Sequence, residues 1–121
     1  MPLKHILMSV RPEHAENIIE GRKVFEYRRR PPLIEYFTTI LIYATLPTGK
    51  VIGEVTARCT LRGEPNYIWS LTARGGCITR ERFDEYFKGM TVASAISLES
   101  PLRYEHPLSL HKRAPQSWQW L

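Results

Sequence analysis

The alternation of apolar and polar positions divides the chain into segments of two periods. "HILMSVR", residues 5–11, is a short apolar run and predicts a first strand. Pro12 follows where a proline fits the first turn of a helix, since its missing N–H has no intrahelical partner there. Ala15, Ile18 and Ile19 recur at spacings of three and four, which predicts an amphipathic helix over 12–20, and Gly21 supplies its stop. "KVFEYRR" switches to period two: Phe25 and Tyr27 share one strand face, and Val24, Glu26 and Arg28 share the other. Pro31 and Pro32 end that strand. "TTILIYATL" is nearly all β-branched or aromatic and predicts a strand covered on both faces. "KVIGEVTARCTLRG" alternates most clearly, setting Val51, Gly53, Val55, Ala57, Cys59 and Leu61 against Glu54, Thr56, Arg58, Thr60 and Arg62. Gly53 marks a bend.

"EPNYIWSLTARGG" predicts a helix from Pro65, closed by Gly75 and Gly76. Thr79 is the expected N-cap of "RERFDEYFKG", with Phe83, Tyr86 and Phe87 as the packing face and Gly89 as the stop. "MTVASAISLESPLRY" returns to strand, and "HPLSLHKRAPQSWQWL" reads as an edge strand and a final docked segment. Trp118 and Trp120 suit stacking on bases, but a terminal tryptophan pair is more often a cap, and capping of an apolar end of the fold is expected. With no internal repeat and no linker, residues 1–121 read as one domain. The order of elements predicts an α+β chain, a small, mostly antiparallel β-barrel with flanking helices.

Composition agrees with a packed core. The 121 residues are 43% hydrophobic and 24% charged. No apolar run reaches the roughly 18 residues of a membrane span, and no leader peptide is read at the start. Cys59 and Cys77 stand alone, against a disulfide scaffold or zinc site, and a reducing, cytoplasmic compartment is expected. His5, His14, His106 and His111 lack metal-ligand spacing, and no phosphate-loop, zinc-protease or nucleophile-elbow motif occurs, so no cofactor or metal is expected. The net charge of +5 favours an anionic partner. It is also segregated: Arg22, Lys23, Arg28, Arg29 and Arg30 cluster early, Arg103, Lys112 and Arg113 late, and Glu81, Asp84 and Glu85 sit apart.

The candidate chemistry lies in "GRKVFEYRR". Glu26 and Arg28 are two apart and project from one strand face, so a carboxylate sits beside a guanidinium. The cations suit phosphate or a polarised carbonyl; the carboxylate suits a base amino group or a water. Alternation places Lys23 on the other face, and it joins only if the turn at Gly21 redirects it. The plain alternative is an exposed Glu26–Arg28 pair contributing about 0–1 kcal/mol. If Lys23 lies in a cleft beside the aromatic strand, its replacement by Ala is expected to change stability by under about 1 kcal/mol while binding or turnover drops at least tenfold. Ser9, Tyr43, Thr45, Gln116 and Ser117 are second-rank candidates, each a polar group near an expected strand end or in the terminal segment.

Four pieces resemble the ASCH domain family, compact relatives of the RNA-binding PUA domain: "ILMSVRPEHAENIIEGRKVFEYRRR" with its GxKxxExR core, "LIYATLPTGKVIGE", "GGCITRERFDEYFKG" and "APQSWQWL". The resemblance spans nearly the whole chain. It implies a β-barrel with a cleft beside the first helix, and RNA or a nucleotide-like ligand as partner. The motif positions are Gly21, Lys23, Glu26 and Arg28. Some relatives are enzymes, amidohydrolases of acylated cytidine or a ribonuclease. The amidohydrolase group carries a threonine nucleophile where this chain has Glu26, which leaves Lys23 and Glu26 as catalytic residues only for a different mechanism. The function expected is RNA or nucleotide binding in a basic cleft. The alternatives are a hydrolase using the same residues and a regulatory module docking an acidic protein.

Overall fold

The computed structural model describes residues 4–121. The elements run β1 (His5–Val10), α1 (Pro12–Ile19), β2 (Phe25–Tyr27), β3 (Thr38–Ala44), β4 (Lys50–Gly63), α2 (Pro65–Thr72), α3 (Arg80–Tyr86), β5 (Ala93–Leu108) and β6 (Trp118–Trp120). The strands form one sheet in the order β2-β5-β4-β3-β1-β6. β1 and β3 are parallel, Ser9 opposite Tyr43, and every other pairing is antiparallel. Parallel neighbours need a crossover, which α1 and the segment after it provide. Among the described residues, no helix is long and apolar enough to cross a membrane.

The α+β expectation holds, while a closed barrel is not shown. The ladder is open, with β2 and β6 as its edges. Side chains draw those edges together instead: Trp118 Nε1 donates to Arg30 O at 2.9 Å, and Arg28 Nη1 to Ser117 Oγ at 3.0 Å.

Two apolar clusters cover the sheet. The first joins Ala15, Ile18 and Ile19 of α1 to Ile6, Met8 and Val10 of β1, Ile40 and Ile42 of β3, and Ile96 and Leu98 of β5. The second joins Tyr27, Ile68, Phe83, Phe87, Ala93 and Ala95. On β5 the even positions feed the first and the odd positions the second, so opposite faces are covered. Phe83 is fully buried and centres the second, its ring 5.2 Å from Tyr27 and 4.9 Å from Phe87. Thr79 caps α3, its Oγ1 accepting from Arg82 N at 3.1 Å.

Three local expectations change. β3 is not covered on both faces: Ile40, Ile42 and Ala44 are buried, but Leu41 and Tyr43 are half-buried. The strict alternation along β4 breaks at bulges, so Ile52 joins Val55 and Ala57 in the first cluster while Leu61 packs against the second. Only Trp118 of the terminal pair packs on the core; Trp120 is 45% exposed.

Candidate functional site

The site begins at the end of α1. Gly21 has φ +82, a left-handed conformation that a Cβ would strain. Gly21 N donates to Ile18 O at 3.0 Å and Arg22 N to Asn17 O at 2.9 Å, the paired bonds of a Schellman ending. Lys23 N also donates to Asn17 O, so the chain is still turning there and β2 starts only at Phe25. Lys23 is therefore outside the period-two pattern. Its side chain reaches the face of Glu26, with Nζ 3.8 Å from Glu26 Oε1. The turn at Gly75 and Gly76 clamps this segment from the other side. Gly75 O accepts from Val24 N at 2.8 Å, and Gly76 O accepts from Lys23 Nζ.

Lys23, Glu26 and Arg28 form a covered cluster rather than a solvated pair. Lys23 is 2% exposed and Glu26 6%. Arg28 Nε donates to Glu26 Oε2 at 2.9 Å, and Nη2 lies 2.8 Å from the same oxygen. Nη2 also donates to Ser9 O at 2.8 Å. With Nη1 on Ser117, each guanidinium nitrogen makes one hydrogen bond, and two of its five N–H groups have none among the described residues. Among the described residues Glu26 Oε1 has only the loose Lys23 contact, so it can still accept a hydrogen bond. Burial pushes the Lys23 ammonium below its ordinary pKa, and the Glu26 carboxylate pulls the other way. The expectation that Lys23 contributes little to stability treats its replacement as a surface change, and the side chain is instead 2% exposed.

The cluster forms the floor of a cavity of about 600 Å³ between α1 and α3. Five cations line it, Arg11, Lys23, Arg28, Arg29 and Arg82, against the carboxylates of Glu26 and Glu85. Arg11 and Arg82 are exposed, and among the described residues neither side chain has a protein partner. His14 lines the cavity from α1, and its Nδ1 is buried with no hydrogen-bond partner among the described residues. Burial lowers the His14 pKa, Lys23 and Arg82 act in the same direction, and Glu26 and Glu13 oppose. The imidazole is thus held neutral near pH 7. The cavity offers cations for phosphate and one buried acceptor for a base amino group, with an uncharged imidazole nearby. Among the described residues, no group of three or more His, Cys, Asp or Glu side chains could hold a metal ion.

No family model matches the chain. It is 34% identical over 128 residues to an ASCH domain-containing ribonuclease of Zymomonas mobilis, covering 98% of this chain and 84% of that protein. The chain belongs to the ASCH domain family. A crystal structure of the ASCH protein from Zymomonas mobilis agrees, with a TM-score of 0.90, 32% identity, and coverage of 97% of this chain and 87% of that one. A tyrosine-to-phenylalanine variant of that protein superposes with a TM-score of 0.90, at 31% identity. The chain is also 26% identical over 122 residues to the large ribosomal subunit protein uL22 of Ureaplasma parvum, across 39% of that protein's length.

Within this ASCH domain, Ser9, Lys23, Glu26, Arg28, Thr45 and Gln116 all line the cavity. Ser9 is buried and its Oγ donates to Pro115 O at 2.6 Å, so it ties β1 to the terminal segment. Ser117 stands just outside, holding Arg28. Gly21 and Tyr43 do not line the cavity; Gly21 acts by turning the chain, and Tyr43 sits on β3 beside the turn at Gly49. Sequence reasoning did not single out Arg11, His14, Arg82, Glu85 and Tyr86 as site residues. A signal existed: the helical spacing that buries Phe83 and Phe87 also puts Arg82, Glu85 and Tyr86 along the adjoining stripe of α3.

Proposed function

We propose that this ASCH domain binds RNA, seating a nucleotide in the cavity between α1 and α3. One observation carries the reading: a buried carboxylate with an open acceptor position lies beneath rim guanidiniums that have no protein partner among the described residues. Arg11 and Arg82 take the phosphate, and Glu26 Oε1 accepts from a base amino group. Lys23 and Arg28 orient that carboxylate, and each keeps a remaining N–H for the ligand. Ser9, Gly21, Thr45, Gln116 and Ser117 shape or support the pocket, and Tyr43 borders it only through β3. The chain acts as one unit over residues 1–121, its curled sheet as an incompletely closed PUA-like barrel, in the cytoplasm.

A second reading, RNA cleavage in the same cavity, is favoured by the name of the Zymomonas mobilis relative and by the neutral imidazole. A neutral His14 or the Glu26 carboxylate would take the proton of the attacking 2′-hydroxyl as its oxygen bonds to phosphorus, the bond from phosphorus to the 5′-oxygen would break with that oxygen protonated by water, and Lys23 would steady the phosphoryl oxygens.

The test is binding of single-stranded RNA across a salt series, with product analysis by mass spectrometry. Log affinity is expected to fall by about 0.7 per log salt for each contacted phosphate, and the Arg11→Gln, Arg82→Gln double variant is expected to flatten that slope. A salt-independent affinity, or a double variant indistinguishable from the parent, defeats the reading. New RNA termini that disappear with His14→Gln, or with Glu26→Gln at a temperature where that variant is still folded, would select the cleaving form.

A further inference from the structure

Beside the main cavity lies a smaller recess of about 390 Å³, lined by Arg28, Arg29, Arg30, Tyr86 and Ser117. The two share one wall, made of Arg28, Arg29 and Tyr86. That wall is rigidly built. The Arg29 guanidinium lies over the Tyr86 ring, 4.3 Å from its centroid. Arg29 Nε donates to Tyr86 O at 2.6 Å, and Arg29 N donates to the Tyr86 hydroxyl at 3.3 Å. These contacts form the stack without any ligand. The terminal nitrogens of Arg29 have no partner among the described residues, so four N–H donors remain. Next along the chain, Arg30 is fixed by its main chain, whose carbonyl accepts from Trp118 Nε1 at 2.9 Å, while its side chain is exposed.

We propose that this recess is a second nucleotide subsite, and that a single-stranded ligand crosses from the cavity over the Arg29–Tyr86 ridge. A base rests on the ridge, and the phosphate linking the two nucleotides sits on Arg29 and Arg30. The inference rests on the RNA reading of the cavity and extends it from one nucleotide to two. The chemistry favours a nucleic acid over an acidic peptide. Carboxylates could use the guanidinium forks, but only a planar π-face uses a ring stacked with a guanidinium. Two recesses sharing a wall suit a ligand with a repeating unit.

The probes are 5′-phosphorylated mononucleotides and dinucleotides with 2′-O-methyl groups, which prevent cleavage through the 2′-oxygen. The readout is the ratio of their affinities. The dinucleotide is expected to bind about tenfold tighter, the size of a stacking contribution, and Arg30→Gln to cut that ratio to about threefold or less. Arg30 lines only the second recess, and its exposure predicts an unchanged urea midpoint. If mononucleotides bind and the second nucleotide adds nothing, the subsite is wrong and the RNA reading of the cavity survives. If neither probe binds, both fall. A large ratio indifferent to Arg30→Gln places the second nucleotide elsewhere and overturns the proposal. So does polyglutamate that competes as well as the dinucleotide, since the face would then recognise any polyanion.

Discussion

Replacing Glu26 by Gln asks whether the buried cluster is a charge-balanced unit. The change keeps size and one acceptor oxygen but removes the only carboxylate in contact with Lys23 and Arg28 among the described residues. Lys23 is 2% exposed, and the Arg28 side chain is 12% exposed, so water from the cavity replaces only part of what is lost. Removing one member of a buried pair costs about 3–5 kcal/mol when the remaining charge has no relief. Here relief exists. Arg28 keeps its bonds to Ser9 O and Ser117 Oγ, and Lys23 keeps Gly76 O. The expected loss is therefore at the lower end, about 3 kcal/mol at pH 7, read as a lower urea midpoint with an unchanged slope. The loss also depends on pH. Burial already holds the Lys23 pKa below its ordinary value, and the Glu26 carboxylate is what pulls it back. Without that carboxylate the ammonium loses its proton more easily, so the penalty shrinks as pH rises and the gap between variant and parent narrows. The double variant Lys23→Met, Glu26→Gln should recover part of the loss, because the unbalanced ammonium is gone. A change below about 0.5 kcal/mol, the scale of an exposed pair, would refute the buried-cluster account. So would a gap that widens toward high pH.

Gly76→Ala should destabilise by about 1–3 kcal/mol in urea unfolding, since a Cβ there would run into the packed Tyr27 ring. Thr79→Ala removes the hydroxyl that accepts from Arg82 N and should lower stability by about 0.5–2 kcal/mol. His14 titrates below its ordinary value of 6.5 in the fold, first through burial and then through Lys23 and Arg82. Its contribution is complete above that value and is lost as pH falls through the folded pKa, so His14→Gln should lose less stability than the parent between pH 7 and 5. Equal losses in a pH series would remove His14 from the account.

How much was legible follows from which interactions are local. The helix stop at Gly21, the N-cap at Thr79 and the shared face of Glu26 and Arg28 were readable because each depends on neighbours within a few residues. The position of Lys23 was readable only as a condition, since alternation fails where the strand has not begun; the Schellman bonds to Asn17 decide it. Burial of the cluster was not readable. It depends on Ser9, on Ser117 and on the carbonyl of Gly76, all distant in sequence. The same holds for His14, Arg82 and Tyr86, which meet only because α1 and α3 flank one cavity. The open sheet was missed because strand periodicity says which residues share a face but nothing about whether the edge strands pair.

The placement of Arg28 also constrains how function can be tested. Its guanidinium joins β2 to β1 through Ser9 O and to the segment entering β6 through Ser117 Oγ, while holding Glu26. One side chain thus draws together the open edges of the sheet and fixes the floor of the cavity. Loss of ligand binding in Arg28→Ala would be ambiguous, because slack edges and a disordered carboxylate would produce the same result. The same ambiguity attaches to Lys23, whose ammonium pins the turn at Gly76. The exposed arginines carry no such double role. Arg11, Arg30 and Arg82 have no side-chain partner among the described residues, so their removal changes the field at the mouth without loosening the fold. If RNA binding falls in those variants while their urea midpoints stay at the parent value, recognition lies at the rim, and the buried cluster is the support that holds Glu26 beneath it. If binding survives all three and fails only where stability also fails, the cavity is a structural feature and ligands bind on another surface.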